Sequence, residues 1–496
     1  MTRSLASILL AASAAGCMIG PSYRAPAPMP EGAAVAVPAG PDSTRAFFDS
    51  LAAARSRDSI ATATAPVAQR LVIQDSLAGV AWLDILRDTT LVRLVNTALR
   101  QNRNLQTAMA RIREYRADAG AARAPLFPSL TANGSVGSAQ IALGIFPPAS
   151  YHASRVTGDV AWELDFWGRI RHGLDAANAD VAVQVAAERG AVLSLVSDVA
   201  TSYLQLLELD QEHAIAEQTL TSRRATLALA RQRYAQGLIS ELDVKQFEAQ
   251  VAAPAVTLAQ TERARAQTTH ALNVLLGEVT APIPRGGTLA DAVKALVVPD
   301  SVPASLLSRR PDVQQAERQY AAATARLGMA DAARMPTIML TGSYGSQAPK
   351  PGNLFQSNTR IYQLQAGISI PIFDGGRLAD QAAAASARVD QARLQYQQAA
   401  LNALRDANDA LVGVHAARDQ EVAQATQVQA LREALDLAQL RYQSGLSSYL
   451  DLLDAQRSLF AAQLALSQAQ LQQLTAAVQL YKALGGGWPG GGPSPR

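Results

Sequence analysis

The feature of this chain that most constrains its fold is an internal duplication at one fixed offset. The pair Arg233-Tyr234 recurs as Arg441-Tyr442, and 441 − 233 gives an offset of 208. The same offset relates further pairs on both sides, namely Gly237-Leu238 with Gly445-Leu446, Ser240 with Ser448, Leu242-Asp243 with Leu450-Asp451, Pro128 with Pro336 and Gly168-Arg169 with Gly376-Arg377. One gapless offset is hard to produce by chance. The sequence therefore predicts two copies of one unit, at residues 81–300 and 304–484, with a period far too long for a solenoid.

Each copy is predicted to begin with a helix and two strands. Apolar and polar residues alternate in two segments of each copy, most clearly over residues 363–372. Alternation with period two indicates strands that have one apolar and one polar face. The predicted strands cover about residues 128–142 and 152–166 in the first copy and about 336–347 and 361–373 in the second.

A long helical hairpin is predicted to follow the strands in each copy. Proline is absent from residues 168–236 and 376–444, and each stretch would be about 100 Å long as a helix at ~1.5 Å per residue. Gly237 and Gly445 then mark the hairpin turns, because glycine adopts the left-handed conformation that ends a helix. A linker rich in Pro and Gly is expected over residues 279–303.

Four strands per chain cannot close a barrel, and an open four-stranded sheet would expose its edges and an apolar face. The alternation suits a membrane barrel, which must close because unpaired backbone groups are costly in lipid. Several chains are therefore expected to share one barrel, and three chains would give 12 strands, enough for an aqueous lumen. A soluble β-sandwich is the alternative for the strands. A solid helical bundle or a coiled-coil rod is the alternative for the helices.

The N-terminus is predicted to be a lipoprotein signal peptide over residues 1–16. Arg3 supplies a positive charge, the apolar stretch 5–15 is too short to span a bilayer, and the Ala-Ala-Gly-Cys sequence ending at Cys17 resembles a bacterial lipobox. An ordinary signal peptide followed by an incidental cysteine is the alternative. Cys17 is the only cysteine, which excludes a disulfide framework and a cysteine-based metal site.

Two further segments are rich in small residues and proline. Residues 17–80 are predicted to be an N-terminal tether, and residues 485–496 a flexible C-terminal tail. After the signal peptide no run of 18 or more apolar residues remains, so we expect no transmembrane helix.

The charge and the histidines exclude several classes of function. The chain has 44 Lys plus Arg against 41 Asp plus Glu, a near-neutral balance that gives no support to nucleic acid as a partner. None of the five histidines has a His or Cys partner at ligand spacing, and there is no Walker-type loop or nucleophile elbow. The sequence predicts neither an enzyme nor a metal site, and no cofactor besides a covalent lipid on Cys17.

Six short stretches carry a family resemblance, and they occur at residues 17–26, 162–169, 309–313, 371–377, 441–445 and 483–488. In this order, and with the duplication, they resemble the TolC-type outer membrane factors, in particular the efflux lipoproteins of the NodT and OprM kind. The resemblance implies a mainly α-helical protomer with membrane β-strands. It also implies a homotrimer with a 12-stranded β-barrel, four strands per protomer, continued by a long α-helical barrel.

The resemblance further implies a function and partners. The chain would be a lipid-anchored channel in the outer membrane that extends into the periplasm. It would be the exit duct of a tripartite efflux pump and would passively conduct small toxic compounds. The partners would be a periplasmic adaptor (membrane fusion) protein and an inner-membrane pump of the RND type. A type I protein-secretion duct of the same fold and a periplasmic coiled-coil adaptor or scaffold are the alternatives.

The resemblance also assigns roles near the two hairpin turns. It places Asp451 and Asp454, which share a helix face at spacing i, i+3, at a periplasmic aperture. It implies an interhelical hydrogen bond between Asp243 and Tyr442 that holds this aperture shut. Solvated surface acids and ordinary packing of the tyrosine are the alternatives. The residues implied to dock the adaptor are Gly237, Leu238, Ser240, Gly445, Leu446 and Ser448.

Overall fold

A computed structural model describes residues 18–24, 34–36, 88–141, 149–296, 301–303, 308–444 and 446–486. Cys17 and Gly445 lie outside the described residues, as do the predicted signal peptide and most of the predicted tether and tail. The chain divides into two compact units. The strand unit contains the described residues of 1–27, 108–187 and 314–399, and the helical unit contains those of 28–107, 188–313 and 400–496.

The order of the elements repeats once along the chain. In chain order the elements are β1 (Ala34–Ala36), α1 (Thr89–Gln101), α2 (Arg103–Arg123), β2 (Ser129–Ile141), β3 (Ala149–Leu164), α3 (Arg169–Ala235), α4 (Glu241–Leu276), α5 (Leu289–Ala295), β4 (Ser301–Pro303), α6 (Pro311–Ala332), β5 (Thr337–Ala348), β6 (Arg360–Ser369), α7 (Arg377–Gln443) and α8 (Tyr449–Ala483). Both α3 and α7 have 67 residues. The helical hairpin α3–α4 thus recurs as α7–α8.

The strand unit contains one antiparallel sheet of four strands in the order β2-β3-β5-β6. One row of register partners across all four strands consists of Leu130, Val160, Gly342 and Leu364. The next row consists of Thr131, Asp159, Ser343 and Gln363. Successive residues of a strand point to opposite faces, so the sheet has one apolar and one polar face, as the alternation predicts.

The apolar face of this sheet is uncovered in the single protomer. Leu130 is 76% exposed, Leu364 is 86% exposed and Ile368 is 69% exposed. The outer strands β2 and β6 each have one neighbour, so one edge of each lacks a strand partner among the described residues. Both features require a further surface, which lipid and neighbouring copies of the chain would supply.

Two strand ends differ from the sequence prediction. The last register pair between β2 and β3 joins Ile141 to Ala149, so β3 begins at Ala149 rather than at 152. At the other end of the sheet, β6 ends at Ser369 rather than at 373. Pro371 follows closely, and proline has no N–H group with which to continue a ladder.

The core of the helical unit forms around α3. Tyr203, which is fully buried, packs with apolar residues of α1, α4, α5 and α8. The Tyr203 hydroxyl donates to Asp88 Oδ2 at 2.8 Å and accepts from the Gly286 N–H group at 2.8 Å. Asp88 also caps α1 by accepting from the backbone N–H groups of Thr90 and Leu91. One buried hydroxyl therefore ties the linker after α4 to the start of α1.

Among the described residues, α3 is the one helix that is long and apolar enough to cross a membrane. The sequence predicts no transmembrane helix, and 56% of the apolar window in α3 is buried inside the protein. A buried core helix meets the same criteria of length and composition. Apolar residues of α3 from Leu195 to Leu207 pack in the core around Tyr203.

Candidate functional site at the hairpin turns

The first hairpin turn is closed by backbone and side-chain hydrogen bonds. Gly237 has a φ of 72°, and the Leu238 N–H group donates to the Arg233 carbonyl at 2.9 Å. Ser240 then caps α4: its N–H and hydroxyl groups both donate to Asp243 Oδ2, at 2.9 Å and 2.8 Å. The Asp243 N–H group donates back to Ser240 Oγ at 3.2 Å. The Ser-x-x-Asp sequence here forms a capping box, which engages Oδ2 of the Asp243 carboxylate.

The second turn closes in the same way but leaves its acid free. The Leu446 N–H group donates to the Arg441 carbonyl at 2.8 Å, the same bond 208 residues later. Ser448 is the N-cap of α8, but its side chain makes no capping hydrogen bond. The acid of the second Ser-x-x-Asp sequence, Asp451, is exposed instead. Gly445, predicted to lie at this turn, is outside the described residues.

Asp451 and Asp454 form an exposed pair in the first turns of α8. Their i, i+3 spacing places both carboxylates on one face of the helix. Across the described part of the chain, no ion pair joins either carboxylate to a Lys or Arg side chain. Both side chains are therefore available to water, ions or a neighbouring protomer.

The implied hydrogen bond between Asp243 and Tyr442 is not among the described hydrogen bonds of the single protomer, and it stays a prediction for the assembled channel. In the single protomer the capping box engages Oδ2 of the Asp243 carboxylate. Tyr442 packs instead: its ring centroid lies 6.2 Å from that of Tyr449, and Arg233 Cζ lies 5.3 Å from the Tyr442 ring. In the single protomer an aromatic contact and a cation–π contact hold Tyr442.

Tyr449 joins the two hairpins just below their turns. Its ring centroid lies 3.9 Å from that of Phe247, and the two rings share an apolar cluster with Leu227, Val244 and Leu453. Burial, with the neighbouring Tyr442, raises the pKa of Tyr449 to about 12, so its hydroxyl is neutral at every physiological pH. This cluster holds the start of α8 against α3 and α4.

Four leucines project from the turn segments in two repeated pairs. Leu238 is 68% exposed and its counterpart Leu446 is 71% exposed. Leu242 and its counterpart Leu450 are 66% and 60% exposed. Repeated exposed apolar side chains on otherwise polar turns are typical of an interaction surface. Ser240 and Ser448 lie on the same segments and are both exposed.

The residues that follow Cys17 dock onto the strand unit. The Ile19 N–H group donates to the Trp167 carbonyl at 3.2 Å, and His172 Nε2 donates to the Ile19 carbonyl at 3.0 Å. Gly20 has a φ of 131°, and a Cβ at that position would lie 2.7 Å from Gly328 Cα, so only glycine fits. The segment after Cys17 is therefore fixed beside the end of β3.

A buried arginine that the sequence did not predict as functional, Arg223, lies between the hairpins. Arg223 is 4% exposed, and its Nη1 donates to the Gln250 carbonyl at 2.8 Å. The sequence does contain a clue to this contact. Pro254 stands in the middle of α4, so the carbonyl of Gln250, four residues earlier, has no helical donor.

Comparison with known proteins identifies the family. The model of the family described as "Outer membrane efflux protein" matches residues 94–278 and again 302–486, and 302 − 94 gives the offset of 208. The antibiotic efflux pump outer membrane protein ArpC of Pseudomonas putida is 33% identical over 98% of this chain and 96% of its own length. The solvent efflux pump outer membrane protein SrpC of the same species is 36% identical over 82% of this chain and 87% of its own length.

Solved structures of outer-membrane channels have the same fold. CusC superposes with a TM-score of 0.80 at 27% identity, covering 95% of this chain and all of that one. The outer-membrane channel OprN superposes with a TM-score of 0.79 at 29% identity and the same coverage. These neighbours are trimeric TolC-like channels, which confirms the predicted fold class and its internal repeat. The chain therefore belongs to the outer membrane efflux protein family and is the outer-membrane channel component of an efflux pump.

Proposed function

We propose that three copies of this chain form the exit duct of a tripartite efflux pump and that Asp451 and Asp454 narrow its periplasmic end. The observation that carries this proposal is the contrast between the two turns. In the first turn Asp243 takes part in a capping box. In the second turn Asp451 and Asp454 are exposed, and Ser448 makes no capping bond. Threefold repetition would bring six carboxylates towards one axis.

A ring of carboxylates has a defined effect on permeation. Fixed negative charges at a constriction attract cations and repel anions, which gives a channel cation selectivity. No charged partner neutralises Asp451 or Asp454 among the described ion pairs of the protomer.

The hairpin turns are proposed to dock a periplasmic adaptor protein. Leu238 and Leu446 supply matching exposed apolar side chains, one on each turn, and Ser240 and Ser448 lie beside them. An inner-membrane pump of the RND type would supply the energy for transport. Gly237 closes the first of the turns that present these side chains, and the sequence predicts the same role for Gly445 in the second. We also propose that the chain itself has no catalytic activity, in keeping with the channels and transport proteins of its family.

We also propose that acylation of Cys17 anchors the channel in the outer membrane. The contacts of Ile19 with Trp167 and His172 support this, because they fix the segment after Cys17 at the junction of β3 and α3. The uncovered apolar face of the sheet belongs to the same unit. A lipid at Cys17 would thus lie near lipid that contacts the sheet. Intact-mass spectrometry of the wild type and of Cys17→Ser tests this, and equal masses apart from the substitution would refute it.

The proposed cargo is small toxic organic compounds. Relatives are named for antibiotic efflux and for solvent efflux, and both cover more than four-fifths of this chain. A water-filled duct needs no dedicated binding pocket for such compounds. These relatives favour efflux over a type I protein-secretion duct of the same fold. They also favour it over a periplasmic coiled-coil adaptor or scaffold.

Single-channel recording in planar bilayers tests the proposed constriction. Wild-type trimers are expected to show a small, cation-selective conductance, and Asp451→Asn/Asp454→Asn trimers a larger and less selective one. A matched control, Glu262→Gln/Asp436→Asn, removes two exposed acids elsewhere on the helical unit and should behave as wild type. An unchanged conductance in the aspartate variant, from well-folded trimers, would place the constriction elsewhere.

A further inference from the structure

The first hairpin contains a defect in its helical hydrogen bonding. Pro254 is buried within α4. Proline has no N–H group, so the carbonyl of Gln250, four residues earlier, loses the donor that a helix would otherwise provide. A backbone carbonyl in a partly buried position needs another partner, because an unsatisfied polar group there is costly.

Arg223 of α3 supplies that partner. Its Nη1 donates to the Gln250 carbonyl at 2.8 Å. Its Nη2 lies 3.4 Å from the carbonyl oxygen of Gln456 on α8, and its Cζ lies 5.2 Å from the ring centroid of Phe460 on the same helix. One guanidinium on α3 therefore contacts two further helices, α4 and α8, and joins the first hairpin to α8.

Arg223 is unusual for a buried arginine. It is 4% exposed, its Nε has no hydrogen-bond partner, and no carboxylate pairs with it in the described parts of the chain. Main-chain carbonyls and one aromatic ring hold the charge. Burial and the nearby Arg457 lower the pKa of Arg223, in the direction expected for a cation that has lost water.

The duplication shows that the proline and the arginine belong together. The offset of 208 relates Arg223 to Leu431 and Pro254 to Ala462. In the second hairpin these two residues pack in an apolar cluster with Val428. The hairpin that lacks the proline also lacks the arginine. The pair is thus a specific feature of the first hairpin.

The contacts on α8 lie close to the exposed acids. Gln456 follows Asp454 by two residues, and Phe460 follows it by six. Because α8 is one continuous helix, contacts that hold Gln456 and Phe460 also hold the direction in which the two carboxylates point. A guanidinium without a carboxylate partner would be rehydrated if α8 moved away, so this attachment can be broken without leaving a buried charge.

We propose that Arg223 is a positioning residue for the channel: it fastens α8 to the first hairpin at the Pro254 break and thereby holds Asp451 and Asp454 in place. This inference rests on the proposed role of the two acids at the constriction. The fastening itself rests only on the contacts of Arg223 with α4 and α8. The two parts can therefore be tested separately.

The test uses full-length trimers in the Pro254→Ala background. Alanine restores the N–H group for the Gln250 carbonyl, so removing Arg223 no longer leaves that carbonyl unsatisfied and folding is preserved. The test variant is Arg223→Leu/Pro254→Ala, which copies the residue types of the second hairpin. The matched control is Arg224→Leu/Pro254→Ala, which removes the exposed neighbouring arginine.

Two readouts are compared, hydrogen exchange of the α8 peptide 449–460 and single-channel conductance. Pro254→Ala and the Arg224 control should match wild type in both. In the test variant we expect exchange of this peptide to be about tenfold faster, as for loss of one hydrogen bond to a charged group. We expect its conductance to rise towards that of Asp451→Asn/Asp454→Asn.

Each failure has a distinct meaning. Exchange at the background rate in the test variant would overturn the fastening. Faster exchange with unchanged conductance, while the aspartate variant conducts more, would overturn the positioning role and leave the acidic constriction standing. Unchanged conductance in both would overturn the constriction and the positioning role together, while the exchange rate would still decide whether Arg223 fastens α8.

Discussion

The two helical hairpins arise from one duplicated sequence, but their polar side chains have different hydrogen-bond partners. Both begin with a helix of 67 residues, and both turns close with the same backbone bond, from Leu238 to Arg233 and from Leu446 to Arg441. In the first hairpin Asp243 is engaged in a capping box, and Arg223 contacts main-chain carbonyls of α4 and α8. The second leaves Asp451 exposed.

This difference indicates a division of roles between the copies. Polar groups that are satisfied inside the protein hold a structure in place, and they are not free to contact anything else. Exposed and unpaired carboxylates can act on ions or on a neighbouring protomer. At these positions the first hairpin therefore holds its own structure in place, whereas the second carries the acids proposed to control permeation.

The largest expected effect comes from moving the proline to the second hairpin. Ala462→Pro should destabilise the trimer by about 3 kcal/mol, because the Ser458 carbonyl loses its helical donor and Leu431 cannot replace it. Pro254→Ala should be neutral or stabilising, since Arg223 can still contact α4. Thermal unfolding of detergent-solubilised trimers at one scan rate measures both. Equal changes in unfolding temperature for the two substitutions would show that the hairpins do not differ in how they accommodate proline.

A second difference concerns pH. Burial, and then the adjacent Glu212, raises the pKa of Glu208 to about 8 from its ordinary value of 4.5. Its contribution to stability is therefore complete below pH 4.5 and is lost as the pH rises through 8. The corresponding residues of the second hairpin are Ala416 and Gln420, which cannot titrate.

Glu208→Gln should accordingly flatten the profile of thermal stability between pH 4.5 and 8, while Glu262→Gln, at an exposed site on α4, should leave it unchanged. Glutamine keeps the size and the hydrogen-bonding groups but cannot ionise, so the variant isolates the titration. A pH profile identical to that of the wild type would show that Glu208 is ionised in the folded channel.

The smallest expected effect is at the helix caps. Ser240→Ala should cost about 1 kcal/mol, because it removes both hydrogen bonds of the Ser240 hydroxyl with Asp243 and leaves only the bond from the backbone N–H group. Ser448→Ala should cost little, because the Ser448 side chain makes no capping bond. Hydrogen exchange of the two turn peptides measures the difference directly. Comparable losses at the two serines would indicate a second capping box in the assembled trimer.

Much of the architecture could be predicted from local periodicity. The alternation of apolar and polar residues predicts the strands, because side chains of period two lie on opposite faces of a sheet. The alternation does not predict where a strand ends, because β6 stops at Ser369, before Pro371, although the alternation continues further. The candidate site was less predictable, since the partners of Arg223 lie 27 and 233 residues away along the chain. No local pattern relates residues so far apart.

The sequence alone determined the duplication, the four strands, the two long hairpins and the family to which the chain belongs. It did not determine which of two equivalent acids is free. Ser240 and Asp243 have the same spacing as Ser448 and Asp451, and both pairs predict a capping box. A cap is worth only about 1 kcal/mol, so tertiary packing can override it. In the second hairpin Tyr449, the first residue of α8, is buried against Phe247 instead, and only the tertiary structure decides that outcome.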